Sequence, residues 1–305
     1  MPPSPASRTQ TVWIALSPLL FTFLWSTGFV GAKFGLPYAE PLTYLLLRFV
    51  LAAALLVPIA LMLKISWPKR HEIKHVALVG LLVQGVYLGG VFIAIHNGVQ
   101  AGVAALIVSA QPILTAALAG PMLGEKVTRR QWLGLLFGLA GVAAVIAEKI
   151  DTASADAAWA TLYAVASLLA ITLGTLYQKK YCHGVDVVGG NCVQFVTVIF
   201  AFGLGALLFE TNVVHWTGEF VFALAWQSII LSIGATTLLY VMIKRGAASQ
   251  VASLFYLVPP FTAILAWLMF GETFGISAII GMVLVAIGIL LIRTEGALGG
   301  RRRPA

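Results

Sequence analysis

The chain has 305 residues, of which 60% are hydrophobic and 10% charged, with a mean hydropathy of +0.97 and a net charge of +8. Soluble domains carry about 25% charge, so this composition excludes a water-soluble globule. Two cysteines, Cys182 and Cys192, without C-x-x-C spacing exclude a disulfide framework or a redox or zinc motif.

A helix needs roughly 20 apolar residues to cross a bilayer, and the sequence reads as ten such segments. They cover 12–32, 41–63, 76–95, 99–123, 132–147, 157–177, 189–209, 220–243, 248–270 and 276–292. The runs are too long and too uniformly apolar for the alternating strands of a membrane β-barrel. The expected fold is therefore all-α: a polytopic membrane protein of ten transmembrane helices joined by short connections. The first run is close to a full span and lacks a small-x-small cleavage site, so it reads as a retained helix rather than a signal peptide.

The basic residues are unevenly distributed between alternate connections. Arg8, Lys64, Lys69, Arg70, Lys74, Lys126, Arg129, Arg130, Lys179, Lys180, Lys244, Arg245, Arg293 and Arg301 to Arg303 share one side, and Lys33 and Lys149 the other. The positive-inside rule makes the first side cytoplasmic, with both termini there, in the inner (plasma) membrane of a cell. The positive charge thus encodes orientation, and no nucleic-acid partner is expected.

The two halves resemble each other. Between 103–147 and 250–294, Pro112 aligns with Pro259, Thr115 with Thr262, Gly124-Glu125 with Gly271-Glu272, Gly134 with Gly281 and Gly141 with Gly288, all in one ungapped register. The register slips by one residue upstream, where Gly98 aligns with Gly246, and Lys33 aligns with Lys179 near the start of each half. Five segments per copy is an odd number, so the second copy enters the membrane from the opposite side. Residues 1–149 and 150–305 are thus expected to form two inverted five-helix repeats, the arrangement that supports alternating access around a midplane site.

Trp25-Ser26 in the first segment, Leu47-Arg48-Phe49 in the second, and proline followed by Gly-Glu at the ends of the fourth and ninth resemble the EamA-type transporters of the drug/metabolite transporter superfamily. That resemblance implies a ten-helix carrier with a central cavity, often exporting amino acids or related metabolites from bacteria. The YddG-like amino-acid exporters are the branch it points to.

No Asp or Glu lies inside the ten segments. Ion-driven carriers commonly place a carboxylate in the membrane, so facilitated movement is expected. A proton-coupled antiporter is the alternative, as is a sugar-phosphate or nucleotide-sugar exchanger, which would need cavity Lys or Arg for phosphate. Arg48 is the one full charge well inside a segment. It could attract a substrate carboxylate or close an outer gate, or it could hydrogen-bond helix-end carbonyls and lock the second helix into the bundle.

Pro112, Pro259 and Pro260 each remove a backbone donor and displace the carbonyl four residues earlier. Carbonyls freed this way in lipid are tolerated where they line a cavity, so these prolines mark a site, a hinge or a packing kink. Trp25, Tyr87, Tyr240 and Tyr256 are candidate cavity walls, with Gln84, Ser109 and Thr172 among the hydrogen-bonding groups. Ser26, Thr236 and Ser253 are further polar candidates. Gln84 and Tyr87 are three apart and are expected to share a helical face. Ordinary packing is the competing reading for each residue singly; as a group they form the expected substrate site for a small, neutral or zwitterionic solute.

Glu125 and Glu272 follow a glycine and precede a helix, a placement that reads as structural. Gly134, Gly138, Gly141, Gly281 and Gly288 allow close helix packing, and Thr128 with Gln131 reads as a capping box. The five histidines lack metal spacing, and no nucleophile or acid-base motif appears. Neither a metal, a cofactor nor an enzymatic activity is expected. A lipid bilayer and a small-molecule substrate are the expected partners, for which a monomer can suffice.

Overall fold

The computed structural model describes residues 5–123, 129–151, 155–235, 238 and 258–299. Among these the chain is helical, apart from an isolated antiparallel bridge between Ala39 and Val214. The helices are α1 (Pro5–Gly35), α2 (Pro41–Met62), α3 (Arg70–His96), α4 (Ala101–Val108), α5 (Gln111–Leu123) and α6 (Arg129–Asp151). They continue as α7 (Ala155–Tyr181), α8 (Val187–Phe209), α9 (Gly218–Ala235), α10 (Val258–Phe270) and α11 (Ile276–Gly299). Stretches Pro41–Met62, Arg70–His96, Trp159–Tyr181, Val187–Phe209 and Gly218–Ala235 are long and apolar enough to cross a membrane, and shorter apolar helices accompany them. The protein is an all-α polytopic membrane protein.

Helices dominate because lipid offers no partner for backbone N–H and C=O groups, which must then be satisfied within each segment. Pro41 opens α2 after an extended Glu40, a position where the missing N–H costs nothing. The side chain of Asp186 accepts from Val188 N and Gly189 N at the start of α8, and Thr217 accepts from Phe220 N at the start of α9. Glu72 reaches back to accept from Lys69 N at 2.7 Å, starting α3.

Regularity fails at three informative places. The fourth predicted segment is two helices, α4 and α5, separated by a turn at Ser109–Ala110. Pro112 is the physical reason, since a proline has no N–H to donate to the Val108 carbonyl. α3 and α9 each contain a π-helical stretch, Leu81–Val86 and Trp226–Ala235 respectively. In the register that aligns Gly98 with Gly246, these stretches overlap, with Gln84 facing Ser232 in the alignment. π-turns are rare and concentrate at functional positions.

Packing is pairwise. α6 lies along α11, α2 along α8, α3 along α7, and α1 along both α9 and α10. The α6–α11 contact is made by glycines: a methyl group on Gly141 would lie 2.7 Å from Gly281 O, and one on Gly288 would lie 2.5 Å from Gly134 O. Small residues let helix backbones approach where lipid supplies no hydrophobic drive. α2 and α8 are joined by Phe49, which stacks on Phe202 and meets Phe195 at a tilt, and Tyr44 of α2 packs between Phe92 and Phe220.

One end of the α2–α8 pair is tied by reciprocal carboxylates. Glu210, just past α8, accepts from Leu42 N at 2.7 Å, Thr43 N at 2.7 Å and Thr43 Oγ1 at 2.8 Å, capping α2 from another segment. Glu40, just before α2, accepts from Thr211 N and Thr211 Oγ1. The bond from the Thr211 side chain is the leading cause that holds the Glu40 carboxyl below the usual carboxylate range.

Candidate functional site

A small cavity lies at the break between α4 and α5. It is lined by Trp25 and Phe29 of α1, Tyr87 of α3, Ala105 and Val108 of α4, Ser109 and Gln111 at the break, Ile171 of α7 and Val258 of α10. None of these side chains is charged. About 20 Å³ is open to the centre of a water molecule, room for one water and not for an organic solute.

Each wall position has a local cause. Trp25 and Phe29 are one helical turn apart on α1 and so share a face. Val108 lines the cavity four residues before Pro112, where a proline frees a carbonyl. Ser109 donates to Leu106 O at 2.6 Å, leaving its oxygen lone pairs for another donor. Gln111 donates from Nε2 to Thr175 Oγ1 at 3.3 Å, and Thr175 in turn bonds the Ile171 and Thr172 carbonyls. The Gln111 amide thereby connects the break to α7. Ser26 ties α1 to the start of α10 by donating to Val258 O at 3.3 Å.

Of the residues expected from sequence, Trp25, Tyr87 and Ser109 line this cavity. Thr172 is buried beside it, its hydroxyl donating to Leu168 O within α7. Pro259 is buried and Pro260 half-buried in the first turn of α10, next to Val258. Pro112 lies in the first turn of α5. Gln84 is half-buried within the π-turn and does not share the cavity with Tyr87, contrary to the regular-helix expectation. The widened π-turn alters the angular spacing that puts residues three apart on one face of an α-helix. Tyr240, Tyr256, Thr236, Ser253, Glu125 and Thr128 lie outside the described residues.

Arg48 is buried but outside the cavity lining. Its Nε donates to Ser232 Oγ at 3.1 Å, and Ser232 donates to Gln227 O at 3.0 Å, so the guanidinium braces the π-turn of α9 against α2. Among the described residues, the partner of its Nε is thus a side chain of a π-turn. Gln227 completes the seam by donating from Nε2 to Gly28 O of α1 at 2.8 Å, beside Trp226 Nε1, which donates to Thr27 Oγ1 at 2.9 Å.

Glu272 differs most from its expected role. It does not start the following helix; it leaves the C-terminus of α10 through Gly271, at φ +64°, and pairs with Lys33 of α1 at 2.6 Å. Phe29 and Gln111 of the cavity, and the Lys33–Glu272 pair, are absent from the sequence-derived site. Phe29 carried a usable signal in its one-turn spacing from Trp25, and Gln111 in being a polar group directly before a membrane proline.

The EamA-like transporter family model matches this chain twice, over residues 12–147 and 158–294. The chain belongs to the EamA-like transporter family. The two-fold match accords with the two-repeat fold of this family. Relatives of this EamA transporter span nearly its full length. An uncharacterized transporter of Bacillus subtilis, YvbV, is 26% identical over 94% of this chain and 93% of its own. The uncharacterized inner membrane transporter YedA of Escherichia coli is 23% identical, covering 88% and 87%. A protein of Streptantibioticus cattleyicolor named "Probable terminal-alkyne amino-acid exporter" is 26% identical, covering 97% of both chains. A solved structure titled only "Crystal structure of protein" superposes with a TM-score of 0.64 at 17% identity, covering 95% of this chain and 99% of that one, and shares the fold.

Proposed function

We propose that this EamA transporter exports neutral or zwitterionic amino acids, or closely related metabolites, by alternating access and without an obligatory ion gradient, as a YddG-like exporter. The observation that carries the reading is the cavity itself: three aromatic rings, Trp25, Phe29 and Tyr87, with Ser109 and Gln111 as polar groups and no charged side chain among the described lining residues. Aromatic faces accept an organic side chain or an ammonium group, and a few fixed polar groups orient the solute. The Val108 carbonyl, left without a donor by Pro112, adds an acceptor suited to an ammonium. The relative named "Probable terminal-alkyne amino-acid exporter" supports the same substrate class.

With only about 20 Å³ open to a water centre, the cavity takes up a solute only when the helices separate. Two inverted repeats, residues 1–149 and 150–305, supply the two related states that this requires. The excess of basic residues in alternate connections assigns both termini to the cytoplasm and the end bearing Lys33, Glu40, Glu210 and Glu272 to the outside of the inner membrane. Among the described lining residues, the lack of Lys or Arg argues against a sugar-phosphate substrate, and the lack of a carboxylate against proton-coupled antiport.

The test is counterflow in proteoliposomes with labelled amino acids, nucleobases, sugars and sugar phosphates. Saturable amino-acid exchange without a pH or sodium gradient is expected, with loss of most of it in Trp25→Ala and Tyr87→Ala. Exchange confined to sugar phosphates, or strict dependence on a proton gradient, would overturn the reading.

A further inference from the structure

We infer that Lys33 and Glu272 form the outer gate of this transporter, a closed clasp that must open for the cavity to face outside. The inference rests on the alternating-access reading above but not on the identity of the solute.

The clasp is built from three segments. Lys33 stands at the end of α1, one turn beyond the cavity residue Phe29. Its Nζ lies 2.6 Å from Glu272 Oε1 and 4.7 Å from the centre of the Phe270 ring. The same carboxylate oxygen accepts from Ala101 N at 3.2 Å, at the start of α4. One carboxylate therefore joins the ends of α1, α4 and α10, the helices that contribute Trp25, Phe29, Ala105, Val108 and Val258 to the cavity wall. Gln100 Nε2 adds a bond to Thr273 O at 3.3 Å.

The energetics suit a gate more than a fixed strut. The Glu272 side chain is 3% exposed, and its Oε2 is buried without a hydrogen-bond partner among the described residues. A buried carboxylate with one unsatisfied oxygen gives up part of its solvation when the clasp closes, and the pair offsets that cost only while it holds. The Lys33 side chain is 33% exposed, so water already reaches the cation. Opening hydrates both groups, and the closed and open states are kept within reach of each other. This contrasts with the α2–α8 end, where Glu210 and Glu40 are each satisfied by backbone and hydroxyl donors of the other helix and form a fixed frame. The repeat register sets Lys33 against Lys179 and Glu272 against Glu125 in the sequence. Glu125 lies outside the described residues, and the outer clasp stands on its own geometry.

The test reads access directly. In a background with Cys182→Ser and Cys192→Ala, Ser109→Cys reports on the cavity through its labelling rate by a membrane-impermeant maleimide added outside. Lys33→Met, which keeps the stem over Phe270, and Glu272→Gln, which keeps an acceptor for Ala101 N, are each expected to raise that rate about tenfold. Unchanged rates in both variants would overturn the gate. A second measurement does not depend on weakening the protein: Lys33→Cys with Glu272→Cys in the same background is bridged by a short reducible bis-thiosulfonate. Counterflow should stop when bridged and return on reduction, and counterflow that continues with the bridge in place would also overturn it. Labelling that responds while amino acids fail to exchange would refute the substrate and leave the gate standing. Intact amino-acid exchange with unresponsive labelling would do the reverse.

Discussion

Removing the Glu210 carboxylate tests whether a cap supplied from another segment holds α2 in place. Three donors converge on it, Leu42 N, Thr43 N and Thr43 Oγ1, at 2.7, 2.7 and 2.8 Å. The residue directly before α2, Glu40, makes no side-chain cap bond to it. Losing an ordinary helix cap costs about 1 kcal/mol, and a hydrogen bond to a charged group contributes about 1.5 to 3 kcal/mol. The contacts are half-buried and share one carboxylate, so they do not add fully. Glu210→Ala is expected to cost about 2 to 4 kcal/mol, and Glu210→Gln, which keeps one acceptor, about half as much. Thr43→Ala removes a single hydroxyl donor and should cost about 1 kcal/mol. Unfolding in mixed micelles titrated with dodecyl sulfate, followed by tryptophan fluorescence and circular dichroism, gives these differences. The double variant completes a cycle whose coupling should fall near 1 kcal/mol. Glu210→Ala stability within about 0.5 kcal/mol of the parent, the scale of an ordinary surface substitution, would refute the idea that this carboxylate holds the two helices together.

Gly288→Ala should force α11 away from α6, because its methyl group would meet Gly134 O at 2.5 Å and Gly138 N at 2.9 Å, both backbone atoms. A loss of about 1 to 3 kcal/mol is expected in the same unfolding titration, and an unchanged midpoint would show that the helices have slack. Glu40 supplies a pH test: its folded-state pKa is lowered, chiefly by the Thr211 hydroxyl. Its contribution is then fully present above the unfolded value, about 4.3 for glutamate, and is lost as pH falls through the lower folded value. The stability difference between the parent and Glu40→Gln should therefore be constant near neutrality and shrink on acidification below that range. A difference that widens in acid would reverse the sign of the linkage.

Much of the architecture was legible in a single sequence because membrane insertion is decided by local sums. Apolar length along the chain marks a span whatever it packs against, and the proline and Gly-Glu register exposes the repeat without any contact being known. The break in the fourth segment lies two residues before Pro112, so even a departure from regularity had a local cause. The glycines between α6 and α11 were equally readable, since close approach needs only the absence of a side chain.

Partners were not readable in this way. Glu272 looked like an ordinary residue of a helix-to-helix turn, and it became one pole of a clasp because folding sets the ends of α1 and α4 beside it. Arg48 was conspicuous as a charge, yet its contact with Ser232 depends on a π-turn in α9, which no periodicity of apolar residues announces. Gln84 and Tyr87 separate for the same reason in α3. Composition and spacing determined that this chain is a helical membrane protein with a repeated plan and no Asp or Glu inside its predicted spans. Which side chains meet in the cavity and at the ends of the bundle was decided only by tertiary structure, because hydrogen bonds and ion pairs depend on distances between segments far apart in the chain.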